Sequence, residues 1–329
     1  APTVSSISPT DNQSGVSISD NISVTFSEAM DTTSVTTNTS NTSCSGSFQV
    51  SSDSFSTCVK MSSSPSSSNS YKAFTVDPSD NLSYSTTYKI RVTTGVKDTS
   101  GNTLSSQYET SSGFTSVGLF VAVGAAATIL TTTSDGTSWS SISYGGTENL
   151  RAVTYGNNTF VTVGGGGMIF TSSDGITWDN RTSASGTSNS LNGVTYGNST
   201  FVTVGDSGTI LTSSDGTSWD NRTSGRSTEF FGITYGNNIF VAVGKTSDGN
   251  ISNTIGILTS SDGISWDNRT HPSTSSDLLG VTYANSTFVI GGESGIILTS
   301  SDGTTWTKRT SDVNGRFNGV TYGNNTFVI

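Results

Sequence analysis

The C-terminal two thirds of the chain repeats itself about every 40 residues, and such a repeat admits few architectures. The phrase Ser-Asp-Gly-x-Ser/Thr-Trp occurs five times, ending at Trp139, Trp178, Trp219, Trp266 and Trp306, which are all the tryptophans of the protein. The phrase Val/Ile-Thr-Tyr-Gly/Ala-Asn also occurs five times, at Tyr155, Tyr196, Tyr235, Tyr283 and Tyr322. Between them run Phe-Val segments such as 160–163 and 201–204, then Ile-Leu-Thr segments such as 210–212. Four strand-like pieces per unit is the arithmetic of a β-propeller blade. Phe-Val-Thr-Val is nearly continuous in apolar or β-branched residues, as in a strand covered on both faces. Asp-Gly is expected as a two-residue hairpin turn, and one Trp per unit supplies a large buried area at an equivalent place.

Residues 1–112 show no such repeat. Ile22–Phe26 and Tyr88–Val92 alternate apolar and polar residues, and the 71–76 segment is also strand-like. Turn clusters at 11–15, 77–81 and 98–102 separate them. Short strands with frequent turns over this length predict a β-sandwich. Ser62–Ser70 is almost entirely serine and reads as a mobile loop. The expected organisation is therefore all-β, a sandwich over 1–112 and propeller repeats over 113–329. The repeats number five complete units and a partial sixth, the chain ending at Phe327-Val328-Ile329. Gly113–Gly124 reads as a degenerate first copy of the Gly-Val-Thr-Tyr segment.

Roughly a third of the residues are Ser or Thr, interleaved with β-branched and aromatic side chains rather than set in a disordered tract. The net charge of −10 and the absence of a basic patch predict no nucleic-acid partner. No run reaches the roughly 18 apolar residues of a membrane helix. The Ala1-Pro2 start fits a mature exported chain cleaved after a small residue. Cys44 and Cys58 are close enough in sequence to close a loop of about 15 residues, in keeping with an oxidising compartment.

The first segment resembles the bacterial Ig-like domain of surface-layer proteins and large adhesins. The resemblance rests on Pro2-Thr3-Val4 with Ser8-Pro9, the Ile22–Asp31 strand and turn, and Tyr88–Val92 followed by Gly95-Val96-Lys97-Asp98 and Gly101-Asn102. It implies a spacer without an active site. The region between Cys44 and Cys58 departs from the family pattern, and its role stays open. The Ser-Asp-Gly phrase resembles the Asp-box of sialidase-like propellers, Ser-x-Asp-x-Gly-x-Thr-Trp, with one residue fewer between Asp and Gly. That resemblance implies a structural staple at Asp135, Asp174, Asp215, Asp262 and Asp302, each with its Trp packed below.

Candidate chemistry is sparse. Sialidases need three arginines round a carboxylate, but Arg181, Arg222, Arg269 and Arg309 recur once per unit and read as blade-edge ladders. His271 is the only histidine, which argues against His-dependent triads and multi-His metal sites. Gly164–Gly167 occupies the turn slot that Asp206-Ser207-Gly208 fills in the next unit. The acidic turns at Asp77–Asp80 and Asp98–Asn102 are the weak calcium candidates. The insertion Lys245–Gly256 is a place for binding function. Asn-x-Ser/Thr sequons stand at Asn12, Asn21, Asn38, Asn41, Asn81, Asn157, Asn180, Asn198, Asn221, Asn250, Asn268, Asn285 and Asn324.

These features predict a non-enzymatic, extracellular surface protein of structural or adhesive type. It needs neither cofactor nor metal, its partners are copies of itself, other surface proteins or glycans, and exposed terminal strands offer edges for exchange between subunits. The rival expectation is a carbohydrate-binding lectin, and a sialidase-type hydrolase is disfavoured.

Overall fold

The computed structural model describes residues 1–133, 136–245, 256–270, 272 and 276–329. They form two compact units, Ala1–Phe120 with Thr132–Ser138, and Val121–Thr131 with Trp139–Ile329.

The first unit is a sandwich. One sheet has the order β1 (Val4–Ser8), β2 (Ile22–Phe26), β5 (Ala73–Val76), β4 (Ser66–Ser68); the other has β3 (Phe48–Ser51), β6 (Thr87–Val92), β7 (Tyr108–Glu109), with β8 (Phe114–Thr115) also on β6. Alternation decides which side chains enter the core. Ile22, Val24 and Phe26 of β2 and Phe74 and Val76 of β5 meet Phe48, Val50, Ile90 and Val92 of the opposite sheet, all essentially water-free. The serine run is not a loop throughout. Ser66–Ser68 pair with Ala73–Thr75 as an edge strand, since backbone pairing to β5 needs no apolar side chain when every residue faces water.

The second unit is a series of antiparallel meanders. Sheet II comprises Leu150–Gly156, Thr159–Gly164, Ile169–Ser172 and Asp179–Asn180; sheet III Leu191–Gly197, Thr200–Gly205, Thr209–Ser213 and Asp220–Thr223. Sheet IV comprises Phe230–Gly236, Ile239–Gly244, Ile257–Ser260 and Asp267–Arg269; sheet V Leu278–Ala284, Thr287–Gly292, Ile297–Ser300 and Thr307–Arg309. Sheet I has three strands (Leu119–Val123, Thr128–Thr133, Ser140–Ser143), of which residues 119–120 and 132–133 are grouped with the first unit, and sheet VI two (Thr321–Gly323, Thr326–Val328). The opening copy of the repeat differs from expectation in one respect. Its first strand is not in sheet I, because Phe114–Thr115 pairs with Thr87–Tyr88 as β8.

The core of the array lies between successive sheets, as in propeller blades. Trp306 of sheet V packs with Val241, Val243 and Ile257 of sheet IV. Trp266 of sheet IV lies on the Val202–Val204–Ile210 cluster of sheet III, and Trp219 of sheet III on Val161, Val163 and Ile169 of sheet II. Each Trp thus belongs to one sheet and is covered by the one before it. Trp178 and Trp306 are 5% and 6% exposed, Trp219 and Trp266 are half-buried, and Trp139, in sheet I, is 44% exposed. The expectation of one buried Trp per unit is met fully by Trp178 and Trp306, in part by Trp219 and Trp266, and not by Trp139, which among the described residues has no earlier sheet of this unit over it.

The two-residue hairpins are not the Asp-Gly steps. They are Asn157-Asn158, Asn198-Ser199, Asn237-Asn238, Asn285-Ser286 and Asn324-Asn325, joining the first and second strands of sheets II to VI, with φ of 44–61° at both positions. Two consecutive left-handed residues make the I′ turn that matches strand twist, and Asn tolerates that region better than most residues. Beside each turn a cross-strand Tyr–Phe pair, from Tyr155–Phe160 to Tyr322–Phe327, sits with ring centroids 4.5–4.7 Å apart.

Candidate functional site

The recurring polar residues are occupied in holding the backbone. In sheet II, Asp174 Oδ1 accepts from the N–H groups of Ile176 (2.8 Å) and Thr177 (2.7 Å) and from the Ser172 hydroxyl (2.9 Å). Ser172 Oγ in turn accepts from Gly175 N at 2.7 Å, and Trp178 Nε1 donates to Gly175 O at 3.0 Å. The same set recurs at Asp215, Asp262 and Asp302. The glycine of each turn has φ of 71–79°, which explains why Gly follows Asp. Burial pushes the Asp174 carboxyl up, but the N–H groups of Thr177 and Ile176 and the Ser172 hydroxyl outweigh it, so its pKa is lowered. The N–H groups of Ser218, Ser265 and Thr305 hold Asp215, Asp262 and Asp302 low in the same way. Asp135 lies outside the described residues.

The arginines form a ladder. Arg181, Arg222, Arg269 and Arg309 donate from Nε to Thr171, Thr212, Thr259 and Thr299 on the third strands, at 2.6–3.3 Å. The first three also pair with Asp179, Asp220 and Asp267 at 2.8–3.0 Å. Exposed pairs of this kind stabilise by less than about 1 kcal/mol. They do not converge on a common point as a carboxylate clamp would.

In the first unit, Cys44 and Cys58 are disulfide-bonded. Inside that loop Asp53 accepts from the Thr57 hydroxyl, which with the Thr57 N–H and the Ser51 hydroxyl lowers its pKa to about 2. Phe55 lies under the Arg91 guanidinium, 3.6 Å from ring centroid to Cζ. The departure from the family pattern thus packs onto β6. Asp98 is consumed by its own turn, accepting from Ser100 N, Asn102 N and Asn102 Nδ2 at 2.7–2.9 Å. Asp77 and Asp80 accept from the Ser62 and Ser79 hydroxyls. Among the described residues no three His, Cys, Asp or Glu side chains gather as a metal cluster. Asp11 was not singled out in the sequence; its carboxylate accepts from Ser111 N, Ser111 Oγ, Ser112 N and Gly113 N at 2.6–3.1 Å, tying the first turn to the segment before β8.

The sequons divide by exposure. Asn157, Asn198, Asn285 and Asn324 stand exposed on equivalent hairpins, and Asn180, Asn221 and Asn268 stand exposed on fourth strands. Asn12, Asn21, Asn41 and Asn81 are exposed in the first unit. Asn38 is a correction: it is 1% exposed and its Nδ2 donates to Asn41 O and Val59 O, so a glycan there would have to displace the loop. Asn250, His271 and residues 246–255 of the long insertion lie outside the described residues.

The charges of the connecting links differ from sheet to sheet and collect at one end of the meanders. The hairpins and Ser-Asp-Gly turns share one end and even touch between sheets, Asn157 Nδ2 donating to Ser214 O at 3.5 Å. The links at the other end carry charges that differ from sheet to sheet: Glu148, Asp206, Glu229, Asp277 and Glu293, with Arg226, Lys245 and Arg316. Lys245 pairs with Glu229 at 2.8 Å and Arg316 with Glu293 at 3.2 Å. An open depression of about 560 Å³ lies there between Asn189, Ser207, Asn221 and Arg226.

At that end the first strand of every complete sheet carries a β-bulge. The register slips between Leu150 and Ala152, Leu191 and Gly193, Phe230 and Gly232, and Leu278 and Gly280, leaving Arg151, Asn192, Phe231 and Leu279 as the extra residues. Opposite each bulge stands a glycine whose Cβ would lie 2.0–2.3 Å from a backbone carbonyl oxygen: Gly164, Gly205, Gly244 and Gly292. The register shift is the same in all four and the side chain is not, Arg151 being exposed, Asn192 and Phe231 half-buried and Leu279 buried. Asn192 Nδ2 donates to Asp206 Oδ1 (2.9 Å) and to Phe230 O of the next sheet (2.8 Å), and Arg151 Nη1 donates to Asn192 Oδ1.

The chain is thus an all-β protein combining an Ig-like sandwich with a propeller-type array. Residues 1–116 match the family model of the bacterial Ig-like domain. Solved structures with a likeness include a streptogramin B lyase (16% identity, 72% of this chain and 80% of that one, TM-score 0.49). Others are a nidogen/laminin complex (13%, 64% and 83%, 0.48) and YCF48 bound to D1 peptide (17%, 61% and 81%, 0.39). No curated protein matches the chain. Among the described residues no helix is long and apolar enough to cross a membrane.

Proposed function

We propose that this chain is an extracellular cell-surface protein of structural or adhesive type. The Ig-like unit serves as a spacer, and the array, kin to the Asp-box propellers, presents one end for recognition. The observation that carries the reading is the division of labour within the repeat. Asp, Arg and Trp side chains that recur are spent on turns, ladders and inter-sheet packing, whereas the link charges that differ from sheet to sheet gather at a single end. Such a scaffold keeps its frame constant while its display varies, which suits binding rather than bond-breaking. The Cys44–Cys58 bond supports export to an oxidising space. Exposed sequons on equivalent turns support a glycosylated surface.

A second reading, assembly of subunits by strand exchange, is favoured by the Leu119–Val123 strand. Its counterparts in sheets II to V each have an inner neighbour, and it has none in sheet I. The test compares source cells with and without the chain. Loss of adhesion or of surface-layer integrity in the deletion strain is expected. Unchanged adhesion with the loss of a soluble activity would contradict the proposal. Sedimentation of the purified chain tests assembly, with concentration-dependent association expected and a single monomer species at all concentrations contradicting it.

A further inference from the structure

The four bulges are too regular to be defects. Each places one residue at the same point of the first strand, and each is held by a glycine that no other residue can replace without a backbone clash. Bulges re-aim side chains, so the array repeats one position on four adjacent strands, keeping surface at Arg151, Asn192 and Phe231 and burying Leu279. At that position the sequence runs Arg, Asn, Phe, Leu, where almost every other position of the strand repeats. The residues form a continuous row, since Asn192 bonds both to Arg151 and to the main chain of Phe230, the neighbour of Phe231.

We propose that Arg151, Asn192 and Phe231, with Asp206 beside them, form a recognition row for a neutral carbohydrate, the row ending where Leu279 is buried. The inference rests on the surface-protein reading above and names what its exposed end would take. The Arg151 guanidinium and the Asp206 carboxylate are planar and directional and supply donors and acceptors for adjacent sugar hydroxyls, while Asn192, whose two amide N–H groups are taken by Asp206 and Phe230 O, holds both in place. Arg151 is exposed and Asn192 and Phe231 half-buried, so all three keep surface for a ligand. Phe231 provides an apolar ring for the C–H face of a pyranose. Charge disfavours an anionic ligand. The only cation in the row, Arg151, stands beside Asn192–Asp206 and three residues from Glu148, Lys245 and Arg316 are paired with carboxylates, and with Arg226 counted the carboxylates of this end still outnumber its cations.

The test is a glycan array probed with the whole chain and with Arg151→Ala, Asn192→Ala and Phe231→Ala, melting temperatures being measured alongside. Arg151→Ala is the safest variant for folding, because its side chain is exposed. Binding to neutral glycans by the natural chain is expected, weakened about tenfold or more by Arg151→Ala and Phe231→Ala, as follows from losing one hydrogen bond or ring contact at a bound ligand, and weakened by Asn192→Ala through loss of the bonds that position Arg151 and Asp206. Glycan binding unaffected by Arg151→Ala and Phe231→Ala would overturn the row as the site. Binding only to anionic glycans would overturn the ligand class. Absence of glycan binding from a chain that still mediates adhesion would overturn this inference and leave the surface reading standing; loss of both would remove both.

Discussion

Replacing Trp306 by alanine should destabilise the array far more than replacing Trp139, although both occupy the same place in the repeat. Trp306 is 6% exposed, packs against Val241, Val243 and Ile257 of the preceding sheet, and donates from Nε1 to Gly303 O at 3.0 Å. Removing a buried aromatic costs about 3–5 kcal/mol from lost contact and the cavity left behind. Trp139 is 44% exposed, and surface truncations stay below about 1 kcal/mol. The difference is legible in amide exchange of the Ile297–Ser300 strand. If opening there is governed by the sheet IV–V core, Trp306→Ala accelerates exchange by on the order of a hundred- to several-thousand-fold. The corresponding strand of sheet I in Trp139→Ala should change less than about tenfold. Equal effects of the two substitutions, or an unfolding free energy of Trp306→Ala from urea denaturation within about 1 kcal/mol of the natural chain, would refute packing between successive sheets as the source of stability.

Other consequences are open to measurement. Gly205→Ala sets a Cβ 2.0 Å from Ser190 O and must shift the bulge, so it should destabilise by about 1–3 kcal/mol, read by chemical denaturation; a neutral result would contradict the close approach. The Ser-Asp-Gly carboxylates have lowered pKa values in the folded state, so their contribution is complete above about pH 4, the unfolded carboxylate value, and fades as pH falls through the lower folded values. Acid titration of Asp215→Asn should therefore show a shallower loss than the natural chain, and an identical acid limb would count against the turn bonds. Replacing both Cys44 and Cys58 by alanine opens a 14-residue separation and should lower the stability of the Ig-like unit by about 3 kcal/mol in a thermal melt. In a host that glycosylates Asn-x-Ser/Thr, peptide mass mapping should find glycans on hairpin asparagines such as Asn198 and none on Asn38; the reverse pattern would contradict the burial described.

Much of the architecture was open to reading because period and pattern are local properties. Ile22–Phe26 alternates and is β2, and Phe-Val-Thr-Val is buried between sheets as its composition implies. The Asp-Gly steps misled, since Asp-Gly is a good hairpin signal in isolation, while here the carboxylate is needed to receive two N–H groups of a longer turn. The hairpin signal was present in Asn157-Asn158 and its copies, read only as sequons. Nothing local announces the bulges, because Gly164 carries meaning only once the carbonyl of Asn149 is known to lie against it. Ser66–Ser68 lacks any strand propensity and pairs because β5 offers a free edge. The recognition row was hidden for a related reason: Arg151, Asn192, Phe231 and Leu279 look like ordinary variation until register places them at one point.

The most direct test of the surface reading is antibody labelling of intact, unpermeabilised source cells, with the chain's Ig-like unit as antigen. The account predicts label on the outside of intact cells and its removal by external protease. Label that appears only after the cells are broken would contradict it.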